Sequence, residues 1–174
     1  TFLTSVGNPV NLADSDTIVT DDGSYKSLTV TLTNRPDGAD ETLSSTFGSG
    51  MQTVGAELVD ITYTSGTGVL EVTTDGSISA ADMQTIIESI QYDNASASPT
   101  MTDRTITFEA VDNEDNNGPQ STTTVTLLDA NTAPSFSGLD NTPVFNEGGT
   151  AVVLDSNVTI SDAQLDIGDN YTGT

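Results

Sequence analysis

Cysteine, histidine and tryptophan are all missing from this sequence, and only three of its 174 residues are basic. Without cysteine there is no disulfide framework and no thiol chemistry. Without histidine the chain lacks the commonest general base and the commonest transition-metal ligand. Three basic residues cannot neutralise a phosphate track, so nucleic acid and anionic membrane surfaces are poor partners. No apolar run approaches the ~18 residues of a membrane span, and no basic-then-apolar signal opens the chain, so no membrane insertion is expected. Aromatic residues make up 5% and hydrophobic residues 34% of the chain, thin for a deep core but workable for a sandwich of short strands.

What is abundant is negative charge. Twenty-six acidic residues give a formal net charge of −23. Repulsion on that scale opposes the compact state unless cations screen or bind the carboxylates. A divalent cation is the natural partner. Calcium is the hard-cation choice for oxygen ligands where no disulfide is possible. Solubility alone is the plainer account of the acidity.

Strand signals dominate the chain. Leu28, Val30 and Leu32 alternate with Thr29, Thr31 and Thr33, the period of a half-buried strand. The same alternation recurs over Ile106–Ala110 and Thr123–Leu127. Glu57–Thr64 and Gly68–Thr73 flank Ser65-Gly66-Thr67, a hairpin-like connection. Threonine suits such strands, because a β-branched side chain fits the pleat and its hydroxyl faces water. Spaced strands of this kind predict an all-β antiparallel sandwich. One stretch, about 79–90, differs: Ser79 stands as a cap, and Met83, Ile86, Ile87 and Ile90 share one helical face.

An internal repeat organises the whole. A shift of 142 residues superposes Gly7 on Gly149, Val10 on Val152, Leu12 on Leu154, Thr17 on Thr159 and Ile18 on Ile160, with Leu3 meeting Phe145. Past Ile18 the register slips by one, setting Asp21-Asp22 against the region of Asp162. Residues 1–131 are therefore expected to form one repeat. Residues 132–174 are expected to hold a linker and the truncated first strands of the next. The second copy's apolar residues, Val152, Val153 and Ile160, lack the rest of a sandwich to bury them. They are open to strand exchange between copies. The chain starts and stops in mid-pattern and reads as an excised fragment.

Between two strands lies the acidic loop Ala110–Pro119, with Asp112, Asn113, Glu114, Asp115, Asn116 and Asn117 in succession. The strand Ser121–Leu128 and the stretch Asp129-Ala130-Asn131-Thr132-Ala133-Pro134 follow. This order resembles cadherin repeats, and most nearly the cadherin-like repeats of giant bacterial adhesins exported by type I secretion. Ser79–Tyr92 leading into Asn94, Asp103–Phe108, and Phe145–Thr150 running to Asp162 fit the same pattern. The resemblance implies a cadherin/Ig-like sandwich, calcium at the repeat ends, and an extracellular or bacterial cell-surface location. It also carries Glu147 and Asp103 over as candidate ligands. The chain departs from the family at Thr132 and Ala133, where the linker usually has an acidic residue and Asn. Asp103-Arg104 also lacks the following Glu, and Ser5 stands in the first copy where the second has Glu147.

In such a sandwich the late acidic loop and the first turn share one end, so Asp112 and Asp115 are expected near Asp21 and Asp22. By the repeat, Asp162 and Asp166 take the corresponding end of the second copy and meet Asp129 and Asn131 of the linker. Calcium collects six to eight oxygens, which clustered Asp, Asn and carbonyl groups supply. Such a loop also serves as an ordinary polar turn, and Asp21-Asp22-Gly23 fits a turn as well as a ligand pair.

Three function classes follow. A non-catalytic, calcium-stiffened extender or adhesion repeat of a surface filament fits best, with neighbouring repeats and a surface glycan or host-cell ligand as partners. A secreted carbohydrate-binding sandwich is the alternative. Sugar sites usually present exposed aromatics for stacking, however, and here tryptophan is missing and the four tyrosines are scattered. Paired carboxylates serve glycoside hydrolysis. No nucleophile–base pair or phosphate loop accompanies them, and no enzyme is expected.

Overall fold

The computed structural model describes residues 2–3, 9–20, 23–128 and 133–161. The chain divides into two compact units, Thr1–Leu128 and Asp129–Thr174. The first unit contains β1 (Phe2–Leu3), β2 (Val10–Asn11), β3 (Tyr25–Leu32), a one-turn 3₁₀ helix (Gly38–Asp40), β4 (Glu41–Ser45) and β5 (Gly50–Val54). There follow β6 (Glu57–Thr64), β7 (Val69–Ile78), α1 (Ala80–Ser89), β8 (Ile90–Asn94), β9 (Arg104–Asp112), β10 (Ser121–Val125) and β11 (Leu127–Leu128).

Two antiparallel sheets face each other across one core. The larger has the order β10-β9-β3-β7-β6-β5, the smaller β2-β8-β4. The alternation read in β3 puts Leu28, Val30 and Leu32 inside, and they pack with Val59, Ile61, Leu70, Val72 and Ile106 of the same sheet. Leu12, Leu43, Ile90 and Tyr92 come from the opposing side. The fold is all-β and sandwich-like, with one helix, as the strand pattern predicts.

The helix carries the chain from the large sheet to the small one. Ser79 caps it by accepting from the Asp82 N–H at 3.1 Å, and its hydroxyl donates back to the Asp82 carboxylate at 2.8 Å. Met83 and Ile86 are fully buried against the core. The β6–β7 hairpin pairs Thr64 with Val69, so its loop runs through Gly68, which holds φ +74°. Between β5 and β6, Val54 pairs with Glu57 and Gly55 holds φ +60°. That is the first central position of a tight hairpin, where the strand twist demands positive φ.

The Ser121–Leu128 stretch, read as one strand, breaks at Thr126. Its first part pairs antiparallel with β9, whereas Leu127 and Leu128 pair in parallel with Phe2 and Leu3 of β1. A strand that changes neighbours midway closes the edge of a sandwich without extending its ladder.

The second unit contains β12 (Ser135–Ser137) and β13 (Thr159–Ser161), an antiparallel pair that sets Phe136 opposite Ile160. Phe136, Leu139, Val144, Phe145, Val152, Val153, Leu154 and Ile160 are all exposed.

Candidate functional site

The acidic loop begins at the last residue of β9. Asp112 turns its carboxylate back into its own loop: Oδ1 accepts from the Glu114 N–H at 2.8 Å and the Asn116 N–H at 2.7 Å, and Oδ2 accepts from the Asn116 side-chain amide at 2.8 Å. These bonds hold the Asp112 carboxyl below its ordinary value, the Asn116 side chain contributing most. The backbone closes the same turn, the Asp115 N–H donating to the Asp112 carbonyl at 3.2 Å. Asp115 then sits at φ +65°, a left-handed conformation that Asp tolerates better than most residues.

The loop packs beside the start of β3. The Asn113 N–H donates to the Ser24 carbonyl at 3.0 Å and its amide to the Ser24 hydroxyl at 2.7 Å. A bulge at Lys26 leaves that residue out of both ladders that flank β3, and its ammonium pairs with the Asp115 carboxylate. The loop and the segment that follows Asp21-Asp22 therefore do share an end of the sandwich. Asp21, Asp22, Asp129, Asn131, Asp162 and Asp166 themselves lie outside the described residues.

Of the nine acidic and amide candidates, Asp112 and Asp115 are thus brought into one loop, and Glu147 stands in the other unit. Glu147 occupies an exposed turn in which the Gly149 N–H donates to the Asn146 carbonyl at 2.9 Å and Gly148 takes φ +79°. Asp103, beside Arg104, contributes its backbone carbonyl to the Asn34 amide at 2.7 Å. Among the described residues no three acidic side chains gather as a metal group would require. The Asp112 oxygens are committed to peptide and amide donors, and Asp115 to an ammonium. As folded, this donor set does not fit a calcium ion by itself.

The strongest electrostatic feature is elsewhere, and the sequence pattern did not single it out. Arg104, at the start of β9, is fully buried. Its guanidinium pairs with Glu41, also fully buried, and at 2.7 Å with Asp37. It also donates to the Thr100 carbonyl at 2.8 Å and to that of Thr102. Tyr92 donates its hydroxyl to Glu41 at 2.9 Å, and Asn94 its amide to Asp37 at 2.8 Å. The Thr100 N–H and hydroxyl complete the shell around Asp37 at 3.0 and 2.6 Å. Burial pushes the Asp37 carboxyl up, but hydrogen bonds from Thr100 and Asn94 and the Arg104 charge outweigh it and hold the group below its ordinary value. Burial, then the Glu41 carboxylate, pushes the Tyr92 phenol well above its ordinary range. No buried side-chain polar atom among the described residues lacks a partner.

This network ties β4 and β8 of the small sheet to β9 of the large one. A signal for it existed: Arg104 shares strand parity with Ile106, so period two points both inward. One guanidinium faces two carboxylates, and Thr100, Asn94, Tyr92 and the Asp37 N–H supply the remaining donors, so the cluster acts as a cross-sheet tie.

A groove of about 850 Å³ opens between residues 11–20 and the β9–β10 edge. Its floor carries Tyr25, Leu28, Ile87 and Phe108, and Asp14 is its single charged lining residue. No protein-family model, no curated protein and no solved structure matches the chain. None of the described helices is long and apolar enough to cross a membrane.

Proposed function

We propose that the chain is a non-catalytic extender repeat of an extracellular or bacterial cell-surface adhesive filament, arranged in tandem and stiffened by calcium at its joints. The observation that carries this reading is the return of the first unit's opening sequence pattern 142 residues on, past the end of that unit at Leu128. The recurrence of Val10, Leu12 and Ile18 as Val152, Leu154 and Ile160 supplies the beginning of a second copy.

Calcium enters this reading through charge and sequence order. By sequence order Asp129 and Asn131 fall in the linker, in a chain whose net charge of −23 gains from cations bound between its modules. Two measurements test the proposal. Melting in calcium should exceed melting in EGTA by mass action on the folded state. The maximum dimension from solution scattering should grow in even steps as copies are joined. Identical melting curves would remove calcium from the reading, and a dimension that does not grow with copy number would remove the filament.

A further inference from the structure

The two copies of one segment have different surroundings. In the second unit, Thr159–Ser161 is a strand, β13, paired with Ser135-Phe136-Ser137. Its counterpart in the first unit, Thr17-Ile18-Val19, has the composition of a strand but forms none. The peptide groups of Ile18 and Val19 have no hydrogen-bond partner among the described residues. Ile18 is 81% exposed, and beside it lies the groove floored by Tyr25, Leu28 and Phe108. An unpaired β-branched edge beside an apolar trough is what remains when a pairing strand is removed.

We propose that this groove is a strand-docking site whose occupant is the Ala133–Leu139 segment of a second copy of the chain. That segment would pair antiparallel with Thr17–Val19 and set Phe136 opposite Ile18, as it does opposite Ile160 in its own unit. Three observations select it. The repeat shows which sequence pairs with this position. Among the described residues β12 pairs along one edge only, with β13, which leaves the other edge to take a partner. The third is charge. In a chain of net charge −23, Ala133–Leu139 carries none, and the groove lining carries only Asp14, so the two meet without the repulsion any acidic segment would suffer. Main-chain bonds along the edge supply affinity, and the Phe136 ring packed on the Ile18 side chain, its cross-strand neighbour on the same face, supplies specificity. The site rests on the tandem-repeat reading but not on calcium, so the two fail separately.

The test titrates the full isotope-labelled chain with a synthetic peptide of residues 133–139, followed by NMR. Saturable shifts are expected at Thr17–Val19, Tyr25 and Phe108. A Phe136→Ser peptide should bind roughly tenfold or more weakly, the consequence of losing one buried aromatic side chain. Ile18→Asp in the chain should abolish the shifts. Both positions are exposed in the free chain, so neither change threatens folding. No saturable shift at millimolar peptide, or equal binding by the Phe136→Ser peptide, overturns the site. Sedimentation then addresses the source. Concentration-dependent association of the chain that Phe136→Ser removes supports a second copy, and a monomer at every concentration overturns it, whatever the peptide does.

Discussion

Leu12 and Leu154 occupy the same repeat position, yet Leu12 is 9% exposed and Leu154 74%. Nothing in the local sequence accounts for that difference. In the first unit Val10 pairs with Tyr92, and the Leu12 N–H donates to the Ile90 carbonyl at 3.0 Å. Those partners lie about eighty residues downstream in sequence, beyond the helix that delivers them. Among the described residues no strand covers Leu154 as β8 covers Leu12. A sandwich strand is therefore half of a contact, and its hydrophobic pattern states a need that only a remote segment can meet.

That comparison can be broken or sharpened by experiment. The largest effect is expected at the tie between the sheets of the first unit. Arg104→Met leaves Asp37 and Glu41 buried and unpaired, and should cost about 3–5 kcal/mol in urea unfolding. Adding Glu41→Leu should recover part of that loss, because a buried charge without a partner is worse than none. A double variant no more stable than Arg104→Met would show that the network does not act as a unit. Next comes the pair that defines the contrast. Leu12→Ala should cost about 2–5 kcal/mol, whereas Leu154→Ala should fall within about 0.5 kcal/mol of the parent. Equal costs would mean that the second copy has a core after all.

Ser79→Ala removes the helix cap and should cost about 1 kcal/mol, read as a lower melting temperature. The smallest signal is expected in acid. The folded Asp37 carboxyl lies below its ordinary value of 3.8, so its contribution is present above that pH and is lost as pH falls through the depressed value. The slope of stability against pH between about 5 and 2 should flatten in Asp37→Asn. An unchanged slope would assign the acid sensitivity to other carboxylates.

Local physics made much of the fold readable. The alternation at Leu28-Val30-Leu32 and at Ile106-Phe108, the Ser79 cap and the Ser65-Gly66-Thr67 connection each concern residues a few positions apart, where side-chain direction and backbone conformation are set by neighbours. The strands β4 and β5 escaped notice because Glu41, buried in the one, and Met51, exposed in the other, invert the usual pattern. The candidate site was less legible. Asp112 and Asp115 have the composition of a cation-binding loop. Whether their oxygens face an ion or their own backbone depends on where Asn116, Ser24 and Lys26 arrive, and Lys26 arrives from β3 through a bulge that no periodicity announces.

Composition and periodicity by themselves determined that this chain is an acidic, cysteine-free, all-β protein with one short helix and an internal repeat, because charge, absence of thiol and side-chain period are properties of the chain alone. Only the tertiary structure decided that Arg104 joins two sheets, that Asp115 meets an ammonium, and that Ile18 stands beside an open groove. Each of those depends on segments tens of residues apart meeting in space, and the free energy that selects such meetings belongs to the packed whole.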